Sequence, residues 1–364
     1  MKPTVSIIIP VYNVEATLDR CLESVLSQSL REIEVLCVND GSTDGSLDII
    51  RRWAKCDRRV RIRIFEENHG TVLAMKLGLR ESSGEYIMFA DADDRYLPGA
   101  IENAVRLIEE YGVDVLQFGM KITALPGVDT GGFENLIRQQ PMTSEGSSIL
   151  YDCFSMKRFP HNYYNKIYRG DLCRAAGAAM PDLQIRQFAD LYLLFFLLYY
   201  AKTFRSVSDG PYYEYFFGNG ISTHAPDEKQ FADLCASSAI LPAIEWFLKR
   251  ENALEQNRFL LDSIGTILKS DVVNKLLTLP EITKETIDLA VKTWGSEVVY
   301  DFIKATGLLD IKCSSRYHLV LNLAERIWKR QNGPSASSGA TITIGGGNAP
   351  QAAGDKNAGQ GNPL

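Results

Sequence analysis

The sequence predicts an α/β fold: a doubly wound mixed sheet with flanking helices, followed by a mostly helical C-terminal region and a disordered tail. Three observations predict it. Over the first hundred residues, short apolar runs rich in β-branched residues alternate with helical periodicity, the pattern of a parallel sheet. Residues 230–332 carry helical spacing with few strand signals. Residues 333–364 are rich in Gly, Ala, Ser, Asn and Pro, a composition that buries too little apolar surface to offset its ordering entropy.

The elements follow in order. Val5 to Ile9 reads as a strand that stops at Pro10, and Leu18, Cys21, Leu22, Val25 and Leu26 then recur on one helical face. Ile33 to Val38 is a second strand ending in Asn39-Asp40-Gly41-Ser42, a turn and helix-cap composition, before Leu47, Ile50 and Trp53 resume helical spacing. Arg61 to Phe65 alternates as a third strand, Thr71 to Arg80 reads as a third helix, and Glu85 to Ala90 is a fourth strand ending at Asp91. Leu97 to Tyr111 reads as helix, Val113 to Met120 as a strand and Asp129 to Ser148 as loop. Three such crossovers imply a doubly wound sheet, in which ligands sit beyond the carboxyl ends of the strands. Pro10-Val11-Tyr12, Asp40 and Asp91-Ala92-Asp93 all fall on that rim.

Composition narrows the function. The chain has 364 residues, 45% hydrophobic and 23% charged, enough for one large mixed domain with additional elements. A net charge of −6 and a pI near 5.4 argue against a nucleic-acid surface. Seven scattered cysteines with no Cys-x-x-Cys pair suggest neither a disulfide framework nor a zinc site, and read as buried fillers in a reducing compartment. Met1-Lys2-Pro3-Thr4 runs straight into a strand without the regions of a secretory signal, so a cytoplasmic protein is expected. The longest apolar run, Leu191 to Ala201, falls short of the ~20 residues of a membrane-spanning helix and reads as a buried helix.

The strongest chemical signal is Asp91-Ala92-Asp93-Asp94 after a buried strand. Alternating carboxylates there can aim at one hard cation, Mg²⁺ or Mn²⁺, bridging the phosphates of a nucleotide diphosphate. Taken alone, the same residues also read as a solvated acidic turn capping the helix near Pro98. Asp40 can accept from the imide N–H of a uracil, with Tyr12 packed on the base; each also reads as ordinary, a helix cap and a packing aromatic.

Five blocks carry a resemblance: Val5 to Asn13, Val38 to Asp44, Asn68-His69-Gly70, Gly84 to Asp94, and Asn165-Lys166-Ile167-Tyr168-Arg169. In this order the sequence resembles the family 2 inverting glycosyltransferases, strongly over residues 3 to about 115, moderately from 160 to 225 and not beyond. The resemblance implies a GT-A fold over 1–225, with a donor half at 1–115 and an acceptor half at 116–225. A helical region at 226–332 and a low-complexity tail at 333–364 follow.

It implies a nucleotide-sugar donor, usually a UDP-sugar, a Mn²⁺ or Mg²⁺ cofactor, and inversion at the anomeric carbon. Position by position, Pro10, Tyr12 and Asp40 would surround the base; Asp91, Ala92 and Asp93 would meet the ribose, diphosphate and metal, with Asp93 the direct ligand. In Gln187-Phe188-Ala189-Asp190, Asp190 would be the catalytic base, with Ala189 where the family carries Glu. Where the family often reads Ala-Arg-Asn this chain has Ala74-Met75-Lys76, so Lys76 becomes a donor contact. The aromatic segment Tyr215 to Ser222 replaces a loop that often supplies Arg, Gln or His, leaving His224 as a candidate for the metal or diphosphate and otherwise a surface residue.

Lys166 and Arg169 are candidates to steer an anionic acceptor or donor, and equally read as a solvated basic turn. The expected acceptor is a glycan or lipid-linked glycan of the cell surface. Arg316 to Arg330 pairs basic with aromatic residues at helical spacing, which suits either peripheral contact with the inner face of a membrane or packing on the domain. A catalytically weakened nucleotide-sugar binder or scaffold is the alternative. An aspartyl phosphotransferase is disfavoured by Asp94 after the acidic pair. No Walker-A run or Gly-x-Gly-x-x-Gly follows the first strand, so NTPase and dinucleotide functions fall away.

Overall fold

The computed structural model describes residues 2–130, 140–218, 226–280 and 283–295. The expected alternation is present as β1 (Val5–Val11), α1 (Leu18–Leu26), β2 (Ile33–Asp40), α2 (Ser46–Cys56), β3 (Val60–Phe65), α3 (Thr71–Glu81) and β4 (Tyr86–Phe89). These four strands are mutually parallel: β1 lies between β2 and β4, with Val11 opposite Asn39 and Ile8 opposite Phe89, and β3 flanks β2. β1 and β2 are buried nearly throughout, as parallel strands covered on both faces must be.

β5 (Arg95–Tyr96) and α4 (Ala100–Tyr111) come next. The helix starts at Ala100 rather than Leu97, because Gly99 holds a left-handed backbone at φ 75° that interrupts any helix begun before it, and the Leu97 N–H donates instead to Tyr212 O at 2.9 Å. The run Val113–Met120, read as one strand, is two. β6 (Val115–Gln117) stays in the large sheet and β7 (Met120–Ala124) enters a small one. The change of sheet falls at Gly119, whose N–H donates to Asp209 O at 2.8 Å and where a Cβ would meet that oxygen at 2.9 Å.

Within the stretch read as loop lies β8 (Met142–Glu145), a polar edge strand whose sequence has no apolar alternation to announce it. The chain continues through α5 (Ser148–Leu150), β9 (Lys166–Arg169), α6 (Gly170–Ala179), α7 (Ala189–Tyr200), β10 (Thr203–Ser206) and β11 (Tyr213–Phe217).

The large sheet runs β3-β2-β1-β4-β9-β6-β10-β8, and the small one β5-β11-β7. β9 is antiparallel to both its neighbours, and β8 to β10, so the sheet is mixed as expected. Helix α7 is apolar on every side and buried from Leu191 to Leu198, which only a helix sunk in the core can sustain.

Four further helices, α8 (Glu228–Ala236), α9 (Ile240–Arg250), α10 (Leu254–Thr278) and α11 (Lys284–Trp294), give the helical C-terminal region its described part. Phe247 of α9 meets Phe196 edge-on at 4.8 Å and Tyr199 at 4.8 Å, joining this region to α7. The helical stretch Glu228–Arg250 is long and apolar enough by composition to cross a membrane, and 44% of its most apolar window is buried inside the molecule. The six described cysteines are all free thiols, five of them buried. The basic segment Arg316 to Arg330, the tail at 333–364 and His224 lie outside the described residues.

Candidate active site

The rim beyond β1, β2 and β4 is built from loops sewn to one another. Asn13 N–H donates to Ser42 Oγ at 3.2 Å, Val14 N–H to Ser46 Oγ at 2.9 Å, Glu15 N–H to Asp44 Oδ2 at 3.0 Å, and Thr43 N–H to Asn13 Oδ1 at 2.8 Å. Above this stitching Tyr12 stands 46% exposed at the end of β1, next to half-buried Pro10, an open aromatic face on which a flat ring can lie.

Asp40 is buried, and both its oxygens already accept backbone hydrogen bonds, from His69 N–H and Gly70 N–H at 2.8 Å each. Its carboxylate therefore anchors the loop entering α3. Gly70, at φ 89°, leaves no room for a Cβ, which would sit 2.4 Å from Ile185 O. Beside Asp40, Asn39 is buried with its Oδ1 unpartnered.

The acidic turn divides its labour. Asp94 is fully buried and accepts from Tyr213 O–H at 2.8 Å and Phe216 N–H at 2.9 Å, tying the turn to β11. Asp91 accepts from Tyr163 O–H. Asp93 receives no hydrogen bond from any other described side chain, and its carboxylate bonds its own backbone N–H. Burial first, and the negative charge of Asp93 second, push the Asp91 carboxyl up to about 7. Asp94 is raised well above the usual range by burial and by both neighbours, and Asp93 is raised by burial. Three crowded carboxyls that resist ionisation are a place where a cation is favourable.

No group of three or more His, Cys, Asp or Glu side chains in ligating geometry occurs among the described residues. Mg²⁺-type ions usually take only one or two carboxylates and complete their shell with water and substrate phosphates, and Asp93 with Asp91 beside it fits that set.

Asp190 opens α7, its Oδ1 accepting from Leu191 N–H at 2.8 Å, and its charge contributes to raising Asp91, which puts the two acids in one electrostatic neighbourhood. Phe188, two residues before it, holds a left-handed backbone at φ 58°. Such strain in a non-glycine residue clusters at functional sites.

The remaining sequence candidates are placed differently. Lys76 is engaged with Asp182 and with Met180 O at 2.6 Å, bridging α3 to the segment before α7. Lys166, read as a steering charge, is fully buried; its ammonium is enclosed by Asn162 O at 2.6 Å, Asn162 Oδ1 at 2.8 Å and Asn165 Oδ1 at 3.2 Å, and burial lowers it to about 7. It cannot meet a ligand from there. Arg169 pairs with Asp171 and lies opposite Tyr86, at the amino end of β4 and so on the rim away from Asp91. Sequence reading missed Tyr163 and Tyr213, whose hydroxyls orient the acids. The dense run Tyr163-Tyr164-Asn165 and the aromatic Tyr212 to Phe217 were the available signals.

Residues 6–160 match the family described as Glycosyl transferase family 2. Over these residues the chain is similar to that family. The match spans β1 to β4, the acidic turn and the approach to β9. The glycosyltransferase GlyA of Streptococcus pneumoniae serotype 4 is 40% identical over 111 residues, 30% of this chain and 16% of GlyA. EpsH of Bacillus subtilis is 28% identical over 264 residues, 72% of this chain and 74% of EpsH. The chain spans less than half the length of several of the curated relatives it matches, 34% in the case of EpsJ of Bacillus subtilis. The crystal structure of S. aureus TarS 1-349 in complex with UDP-GlcNAc aligns over 91% of this chain and 92% of that one, with a TM-score of 0.52 and 19% identity, which shows a shared GT-A-like fold.

Proposed function

We propose that the chain is an inverting, metal-dependent glycosyltransferase that moves a sugar from a nucleotide-sugar donor, a UDP-sugar, to a hydroxyl of a glycan or lipid-linked glycan acceptor. The observation that carries this reading is the carboxylate of Asp93, bonded by no other described side chain, beside Asp91 on the carboxyl rim of the parallel strands β1 to β4, with Asp190 in the same field. TarS, which shares the fold, was solved with UDP-GlcNAc, a donor of this chemical type.

On this reading Tyr12 stacks on the base, and Asn39 Oδ1 and the loop held by Asp40 border its edge. Asp91 and Asp93 hold the ribose and diphosphate end. The same two acids would hold a divalent cation, which would supply neutralisation of the charge developing on the departing diphosphate. Asp190 takes the proton of the acceptor hydroxyl as its oxygen bonds to the anomeric carbon. The bond from that carbon to the phosphate oxygen breaks with its electrons, and attack from the opposite face inverts the centre. Residues 1–225 form the catalytic unit, 226–332 serve acceptor or membrane contact on the cytoplasmic side, and the product belongs to a cell-surface polysaccharide.

The test is release of nucleotide diphosphate from a panel of nucleotide sugars and acceptors, with Mn²⁺ or with chelator. Asp190→Asn is expected to lose about 10²–10⁴ in kcat while still binding donor; Asp93→Asn is expected to lose metal-dependent donor binding. Donor binding without turnover by any acceptor would favour a binding or scaffold role, for which Ala189 in place of an acid is the supporting residue. Turnover insensitive to chelator would overturn the metal assignment.

A further inference from the structure

Helix α1 holds the acidic turn by three successive carbonyls. Thr17 Oγ1 donates to Ala92 O at 3.0 Å, Arg20 donates through Nη2 to Asp93 O, and Cys21 Sγ lies 3.5 Å from Asp91 O. The Arg20 guanidinium also lies 3.8 Å from the centroid of the Phe216 ring at the end of β11, and Arg95 lies 5.7 Å from the same ring. Phe216 in turn gives its N–H to Asp94 Oδ1. One planar cation thus spans the backbone of Asp93 and the strand that Asp94 is tied to. Its Nε is buried without a hydrogen-bond partner, so the guanidinium is held in this pose although the pose leaves a donor unmet.

We propose that Arg20 is a positioning residue for the metal–diphosphate site. It fixes the Asp93 backbone, and so the aim of the Asp93 carboxylate, and through Phe216 it makes the acidic turn and the end of β11 one mechanical unit. Asp93 needs such a device because its carboxylate has no other side chain to orient it. Groups that orient ligands from behind typically change metal affinity 10–100-fold when removed. The proposal rests on the donor-site reading given above.

The experiment is titration of Mn²⁺ into the full chain with UDP, and separately with GDP, following bound metal by electron paramagnetic resonance. R20M is expected to weaken metal–nucleotide binding by about 10-fold. R20K should recover only part of it, since an ammonium cannot bond a carbonyl and stack on a ring with the same plane. F216L should weaken binding as well, and R20M/F216L should be no worse than R20M, because both changes cut one connection.

Wild-type metal affinity in R20M and F216L, or full additivity of the two, would overturn the proposal. A drop in melting temperature with unchanged metal affinity would do the same, leaving Arg20 a packing residue. If R20M does not fold, R20K and F216L decide by the same measure. If the wild-type chain binds Mn²⁺ with neither nucleotide, the donor-site reading falls and this proposal with it; binding by the wild type with unaffected variants removes only the proposal.

Discussion

Glu214 in β11 shows how closely charge is balanced around the acidic turn. Burial pushes its carboxyl up, but Lys121 Nζ at 2.8 Å, Thr123 Oγ1 at 2.6 Å and the Arg95 guanidinium outweigh burial and hold it down to about 2. A carboxyl held below its unfolded value contributes stability above about pH 4.5 and loses it as the pH falls through the folded value. The cost of Glu214→Gln, read from urea unfolding, should therefore shrink between pH 5 and pH 3.5, by at most about 1 kcal/mol because Arg95 and Lys121 are half in water. Asp91 has the opposite sign. Raised to about 7 by burial and by Asp93, it contributes most below its unfolded value and loses that contribution as the pH rises through about 7. Without divalent cation, Asp91→Asn should gain about 1–3 kcal/mol relative to wild type on going from pH 5 to pH 8, measured by thermal melts at both values. The places of Asp91 and Asp93 at a strand end were legible because that is a local pattern, and the place of Asp190 at a helix start was legible through the family resemblance. The internment of Lys166 was not, because its neighbours Asn162 and Asn165 enclose it only once β9 pairs between β4 and β6.

Among the elements, α7 and the β6–β7 break mark the limits of periodicity. The unbroken apolar run of α7 identifies a core helix directly, and Phe196 touches Tyr192, Phe195 and Phe247 within it. Phe196→Ala should cost about 3–5 kcal/mol in chemical denaturation without altering Asp190, which lies in the first turn of the helix. The strand Val113–Met120 was misread because periodicity shows apolar character but not which sheet receives it; Gly119 was the only local sign of the switch. β8 escaped because its stability comes from pairing with β10 rather than from its own composition. Helices α1 and α3, each with one apolar stripe, were placed almost to the residue, and α2 was located by Leu47, Ile50 and Trp53 without its bounds.

For the whole molecule, sheet and C-terminal helices share one core. Phe247 reaches Phe195, Phe196 and Tyr199, and Ser263 of α10 bonds Ser155 at 2.8 Å. Unfolding followed by far-UV and by aromatic circular dichroism should give coincident transitions, and separate midpoints would show that the helices form a unit of their own. The doubly wound half was legible from its alternation, whereas the docking of the helical region was not, since nothing in α9 tells which face meets α7. The strand order has a further consequence, for synthesis on the ribosome. β4 takes β1 on one side at once, but its other neighbour, β9, begins only at Lys166. At roughly 5–20 residues per second, Tyr86–Phe89 waits on the order of 4–15 s with one edge open to any passing chain. The cluster Asp91-Ala92-Asp93-Asp94 sits at the end of that edge, where repulsion between copies discourages pairing. The residues assigned to hold the donor in the finished protein are thus also the gatekeepers of the nascent one.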